Sequence, residues 1–219
     1  MGATPSIDEL AKPVVSFESA DSWRLGHVQA LHRQFTDGNY DFGVDEETFS
    51  RFISEALHSA AVVSPILWRK FDTTGCGLVN LLEVMSGLCV MCQASVEDKA
   101  AFLFSINDFN DQGSLSYDEL VVLLYLAASS TVLVSGKGVL PEENAMEFVA
   151  DEAFVYADKD LSTRLDFSNF LAWLVDFLGL SDETPSVGLR EFLKRMNSLK
   201  HPKTATNNPT AGQGALHAR

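Results

Sequence analysis

The sequence is poor in cysteine and has no long apolar run. Its three cysteines, Cys76, Cys89 and Cys92, are too few for the disulfide framework of a small secreted domain. The sequence has no uninterrupted run of about 18 apolar residues, which is the signal of a membrane-spanning helix. The N-terminus also lacks the charged and apolar regions of a signal peptide. We therefore expect a reducing, cytoplasmic location.

Basic residues are scarce over most of the chain. The formal net charge is −14, which argues against a nucleic-acid partner because nucleic-acid-binding surfaces are basic. The charge is also uneven, since residues 1–188 carry 10 Lys and Arg against 29 Asp and Glu, whereas residues 189–219 carry 6 against 1. An acidic body of this kind suits cation binding.

Catalytic patterns are missing too. There is no nucleophile–base constellation and no Gly-rich phosphate loop, and the five histidines lack zinc spacing. Cys89 and Cys92 form a CxxC, but it falls inside an apolar helical stretch without a second pair, so core packing is predicted for both. The sequence thus predicts no enzymatic activity.

What the chain does contain is a helical repeat. Candidate loops begin near Asp37, Asp72, Asp108 and Asp158, at intervals of 35, 36 and 50 residues. Each loop lies between two aromatic-bearing stretches of helical periodicity. This predicts an all-α fold of two EF-hand pairs, four helix–loop–helix units in all, plus a C-terminal helix and a disordered tail.

The predicted organisation has five segments. They are a flexible N-terminal segment (1–20), EF-hand pair one (21–93, with degenerate loops 36–48 and 72–83), EF-hand pair two (94–180, with loops 108–119 and 158–169), an amphipathic helix (181–200) and a disordered tail (201–219). Within pair two, residues 129–138 are rich in small residues and predict a flexible connector.

The third loop, residues 108–119, carries the strongest metal signal. An EF-hand loop surrounds a hard cation with oxygens from positions 1, 3, 5, 7 (backbone), 9 and 12, and glycine at position 6 makes the turn. Only Gln112 at position 5 departs from the pattern, and its amide still offers an oxygen. We expect Ca²⁺ to bind here with a dissociation constant of about 10⁻⁶–10⁻⁴ M, with Mg²⁺ as the alternative occupant. The predicted ligands are Asp108, Asn110, Gln112, Ser114 (through its backbone carbonyl), Ser116 and Glu119.

The first two loops are eroded. The second loop keeps Asp72, Gly77 and Glu83, but Cys76 places a soft sulfur where a hard cation needs oxygen. Asp72, Thr74 and Glu83 are therefore weaker metal candidates, and a loop that folds without metal is favoured. No register of the first loop, within residues 36–48, completes a ligand cage, so it is predicted to be a structural partner of the second.

The fourth loop, residues 158–169, is intermediate. Asn169 replaces the bidentate glutamate of position 12, and Thr163 replaces the glycine of the turn. A left-handed backbone at this β-branched residue would cost about 1–2 kcal/mol, so weak or absent metal binding is predicted. The weaker candidates here are Asp158, Asp160, Ser162, Arg164, Asp166 and Asn169.

The N-terminus matches a myristoylation pattern, with Gly2 as the acceptor and Ser6 in place. The pattern is short, and no polybasic patch adjoins it to supply the second anchoring signal that a single acyl chain needs. A chance match is favoured, and membrane contact is expected only if Gly2 is acylated.

Several stretches carry a family resemblance. They are Trp68-Arg-Lys-Phe-Asp72, Val79-Asn80-Leu-Leu-Glu83, Gly87-Leu88, Ser95-Val-Glu-Asp-Lys99 and the third loop. With them the chain resembles the calcineurin-B/neuronal-calcium-sensor branch of EF-hand proteins, and most of all a calcium sensor of the ciliary outer dynein arm.

The resemblance implies a non-enzymatic calcium-binding adaptor or sensor that docks a partner helix or coiled coil. The implied setting is a cilium or flagellum, with an axonemal dynein or docking complex as partner. Two alternatives stay open: a calcium-independent scaffold subunit, and a regulatory subunit of an enzyme such as a phosphatase.

Overall fold

The computed structural model describes residues 23–38, 40, 43–57, 64–136 and 139–180. These ranges contain eight helices and four two-residue strands. The helices are α1 (Leu25–Asp37), α2 (Glu46–Leu57), α3 (Ser64–Phe71), α4 (Leu81–Met91), α5 (Val96–Asn107), α6 (Tyr117–Ser135), α7 (Glu143–Tyr156) and α8 (Phe167–Leu178). The strands are β1 (Gly43–Val44), β2 (Val79–Asn80), β3 (Ser114–Leu115) and β4 (Leu165–Asp166). Gly2, the N-terminal segment, the C-terminal helix and the tail lie outside the described residues.

The helices begin where polar side chains can cap them. The Ser95 hydroxyl accepts a hydrogen bond from the backbone N–H of Asp98 at 3.0 Å and so caps α5. Ser116 and Glu119 form a reciprocal capping box at the start of α6. The cap at Ser116 places the third loop directly before the first turn of α6.

The loops are joined in pairs by the strands. β1 pairs with β2 and β3 with β4, both antiparallel, so that Val44 faces Val79 and Leu115 faces Leu165. All four residues are aliphatic and buried, and Val79, Leu115 and Leu165 stand at position 8 of their loops. This back-to-back pairing, together with the flanking helices, confirms the predicted all-α EF-hand fold.

One core runs through both pairs. The aromatic rings of Phe49 and Trp68 pack at 5.5 Å in the first pair, and those of Phe104 and Phe170 at 5.6 Å in the second. Cys89 and Cys92 are buried in the same core as free thiols, as the sequence predicts.

The predicted flexible connector is wrong for residues 129–136, the part of it that the structure describes. α6 continues without a break to Ser135 and ends at Gly136, whose φ of 63° is the left-handed conformation that glycine adopts easily. Ser130 and Thr131 are buried, and both hydroxyls donate to the Ala127 carbonyl one turn earlier. Small residues with internally satisfied hydroxyls therefore extend a core helix here rather than mark a linker.

The length and composition of α6 would allow it to cross a membrane. However, 72% of its apolar window is buried inside the fold, as in the core helix of a globular protein. This burial follows from close packing of α6 against α4. A Cβ atom added to Gly87 of α4 would lie 2.9 Å from Ser130 Cβ and 3.2 Å from Val134 Cγ2, so glycine is needed at this helix contact.

We expect Gly87→Ala to destabilise the protein by about 1–3 kcal/mol, because the new methyl group overlaps a Cβ atom that cannot rotate away. The measurement is the free energy of unfolding in urea. Gly26→Ala is the matched control: Gly26 lies in α1 with no neighbouring atom within 4 Å of an added Cβ. It should stabilise by no more than about 1 kcal/mol. A Gly87→Ala protein as stable as the unmodified chain would contradict the close approach.

Candidate metal centre

The third loop connects α5 to α6 and is organised around Asp108. The Asp108 carboxylate accepts hydrogen bonds from the backbone N–H groups of Gln112 at 3.1 Å and Gly113 at 2.6 Å. Gly113 has a φ of 69°, which permits the turn at position 6. The first predicted ligand thus points into the concave side of the loop.

Glu119, the predicted ligand at position 12, also lies inside the loop. It is 5% exposed. Its Oε2 accepts from the Ser116 N–H at 2.8 Å, and its Oε1 accepts from Asn110 Nδ2 at 3.1 Å. Burial acts to raise the pKa of Glu119, but hydrogen bonds from Ser116 and the nearby charge of Arg164 outweigh burial and lower it. The carboxylate is therefore held ionised next to Asn110.

The positive charge beside this carboxylate comes from the fourth loop. Arg164 Nη2 lies 2.8 Å from Glu119 Oε2 and 3.5 Å from Asp108 Oδ1. Arg164 also donates from Nε to Ser114 Oγ at 3.0 Å and from Nη2 to the Ser114 carbonyl. The sequence predicts Arg164 only as a weaker metal candidate of its own loop. Its side chain instead contacts three of the six residues predicted to hold a cation in the third loop.

The donor types of the third loop fit a hard divalent cation. Asp108 and Glu119 supply carboxylates, and the other predicted ligands supply amide, hydroxyl or carbonyl oxygens. Over the described part of the chain, no three His, Cys, Asp or Glu side chains are grouped to hold a metal ion. Calcium binding at this loop therefore stays a prediction that rests on a mixed oxygen set around two carboxylates.

In the second loop, the two ends of the predicted ligand set have hydrogen-bond partners in different parts of the fold. Asp72 Oδ2 accepts from the Gly77 N–H at 3.2 Å, and Gly77 has the φ of 78° that the turn requires. Glu83, however, accepts a hydrogen bond from the Ser129 hydroxyl of α6 at 2.6 Å. Burial raises the pKa of Glu83, and the Ser129 hydrogen bond partly opposes this rise. Glu83 therefore links α4 to α6.

The fourth loop adopts a different turn from the second and third. Outside glycine, only Asp111 and Asp158 have positive φ among the described residues. The predicted strain at Thr163 is thus wrong. Its N–H donates to the Asp160 carbonyl at 2.9 Å, and the left-handed position moves to Asp158, with a φ of 52°.

Hydrogen bonds inside the fourth loop hold several of its candidate ligands. Asp166 accepts from the Asn169 backbone and side chain at 2.9 and 2.7 Å and lies 3.6 Å from Lys159 Nζ. The backbone hydrogen bond from Asn169 is the main cause that lowers the pKa of Asp166 to about 2. Asp160 accepts from the Ser162 N–H at 2.8 Å. These contacts hold the fourth loop in shape through its own hydrogen bonds.

Paired helix–loop–helix units with strands joined back to back define an EF-hand protein. No protein-family model matches the chain. It is similar to calaxin from Xenopus laevis, with 23% identity over 135 residues, which are 61% of this chain and 62% of calaxin. It is also similar to calcineurin B from Schizosaccharomyces pombe, with 24% identity over 177 residues, 80% of this chain and 92% of that protein. The predicted resemblance to the EF-hand superfamily and its calcineurin-B branch is confirmed.

We expect Ser129→Ala to destabilise the protein by about 1–3 kcal/mol, because it leaves the half-buried Glu83 carboxylate without its hydroxyl donor. Urea unfolding gives the difference. Ser105→Ala is the control, since the Ser105 hydroxyl donates to the Phe102 carbonyl of its own helix and its loss should change stability by less than about 0.5 kcal/mol. Equal effects of the two substitutions would show that the Glu83 contact contributes little.

Proposed function

We propose that the protein is a non-enzymatic EF-hand adaptor or sensor that binds calcium in its third loop and docks a helix or coiled coil of a protein partner. One observation carries the proposal. Asp108 and Glu119, the first and last predicted ligands, are both directed into a loop whose turn is supported by hydrogen bonds. Asn110, Gln112, the Ser114 carbonyl and Ser116 would complete the oxygen set.

The position of Glu119 connects the loop to the rest of the fold. Glu119 stands in the first turn of α6 and caps it through Ser116. The same helix contacts α4 through Ser129 and Ser130. A bound calcium ion would attract Glu119 as a ligand. Because Glu119 lies in the first turn of α6, a displacement of its side chain would move the start of that helix, which also contacts α4 of the first pair. This arrangement supports a route from the loop to a partner-binding surface.

The two relatives support two different kinds of protein partner. The resemblance to calaxin supports a cilium or flagellum, where an axonemal dynein or docking complex would be bound. The resemblance to calcineurin B supports a regulatory protein that accompanies an enzyme. Both settings agree with a cytoplasmic location beside a protein partner.

A second candidate function is a calcium-independent scaffold subunit. It is favoured by two contacts in which a protein side chain, rather than a metal ion, binds the glutamate at position 12. Arg164 binds Glu119 of the third loop, and Ser129 binds Glu83 of the second. In such a protein the EF-hands would serve only as packing modules.

Calorimetric titration with calcium separates these two functions. We expect the unmodified chain to bind one ion with a dissociation constant of about 10⁻⁶–10⁻⁴ M. Glu119→Gln should abolish the heat of calcium binding, because it removes a bidentate ligand. Glu83→Gln is the control: it makes the same change at position 12 of the second loop and should leave the heat of calcium binding unchanged. No heat from the unmodified chain at about 1 mM Ca²⁺ would favour the scaffold.

Fractionation of ciliated cells tests the proposed setting. We expect the tagged chain to stay with the axoneme after detergent extraction, because an axonemal partner would retain it, while the tag alone is released. Complete release of the tagged chain would contradict the axonemal setting and favour an enzyme as the partner.

A further inference from the structure

Among the described residues, Arg164 is the cation that forms ion pairs with the predicted ligands of the third loop. Its position follows from the backbone. Arg164 directly precedes β4, in which Leu165 pairs with Leu115 and Asp166 pairs with Ser114. This register brings the fourth loop alongside the C-terminal half of the third. The guanidinium therefore reaches Ser114 and Glu119 because the two strands are joined.

The contacts of Arg164 coincide with those that a divalent cation would make. It donates to the Glu119 carboxylate and to the Ser114 carbonyl, which are positions 12 and 7 of the ligand set, and it lies 3.5 Å from Asp108 at position 1. Its side chain is 27% exposed, and those of Asp108 and Glu119 are 7% exposed. A guanidinium is permanently charged, and its planar donors suit two nearby oxygens.

We propose that Arg164 is a built-in substitute for the metal ion of the third loop: it neutralises Asp108 and Glu119 when no ion is bound, and a divalent cation must displace it. The fourth loop then controls the cation affinity of the third, although its own candidate ligands are engaged in loop hydrogen bonds. This inference deepens the proposed calcium-binding function and rests on it for the competition between Arg164 and calcium.

Lys159 provides a matched control on the same loop. Its side chain is also 27% exposed, but it pairs with Asp166 of its own loop at 3.6 Å. Replacing Lys159 by alanine removes the same charge from the same loop and leaves every contact of Arg164 with the third loop in place. A difference between the two alanine variants can therefore be assigned to the contact of Arg164 with the third loop and not to the change in net charge.

The experiment uses the full chain and the variants Arg164→Ala, Arg164→Lys and Lys159→Ala. Calorimetry gives the calcium dissociation constant, and thermal unfolding in chelator gives the metal-free melting temperature. We expect Arg164→Ala to bind calcium about tenfold more tightly. This is the change expected if Arg164 occupies the third loop in about 90% of the metal-free molecules, because only the remaining fraction can bind calcium directly. Arg164→Ala should also melt at a lower temperature than Lys159→Ala without metal. Arg164→Lys should lie between, because it keeps the charge and loses the planar pair of donors.

The outcomes distinguish the two proposals. Arg164→Ala and Lys159→Ala with the same calcium affinity and the same metal-free melting temperature would overturn the role of Arg164. Weaker calcium binding by Arg164→Ala would also overturn it. If no variant binds calcium but Arg164→Ala alone melts early in chelator, Arg164 is the permanent cation of the loop, and the calcium-binding function fails instead. Should Arg164→Ala not fold, Arg164→Lys against the unmodified chain gives the comparison at constant net charge, and an unchanged calcium affinity together with an unchanged metal-free melting temperature would overturn the role of Arg164.

Discussion

The antiparallel contact between Leu115 and Leu165 governs the second half of the molecule. Both residues are fully buried, and their pairing fixes the two loops in one register. The helices that flank each loop then share a core, because a single helix–loop–helix unit cannot cover its own apolar face. The same register decides which side chains of one loop can reach the other. Packing and electrostatics are thus set by one pair of strands only two residues long.

Charge is the second constraint on the fold. The chain carries 30 acidic residues and 16 basic ones, so the loop carboxylates need polar or cationic partners. The last three loops obtain them differently. In the third loop the Arg164 guanidinium lies beside Glu119, in the second Glu83 accepts from a hydroxyl on α6, and in the fourth Asp166 accepts from Asn169. Each of these loops therefore has a carboxylate held by a partner from the protein itself.

The sequence predicted most of the described fold, because helical periodicity and the pattern of each loop are local signals. The helix starts are local as well, since Ser95 and Ser116 cap the helices that directly follow them. The sequence did not predict contacts between residues distant in the chain. Ser129 lies 46 positions from Glu83, and Arg164 lies 45 positions from Glu119. The small residues of α6 were misassigned for the same reason, since only their packing against α4 shows that they belong to a core.

The interface between α4 and α6 has a consequence for how the two EF-hand pairs separate. On the α6 side it includes Ser129, which donates to Glu83, and Ser130 and Val134, which lie close to Gly87 of α4. If the helices parted, the two hydroxyls could bond to water, but the apolar side chains of the shared core would be exposed at a cost of about 25 cal/mol per Å². The two pairs are therefore expected to unfold together as one cooperative unit.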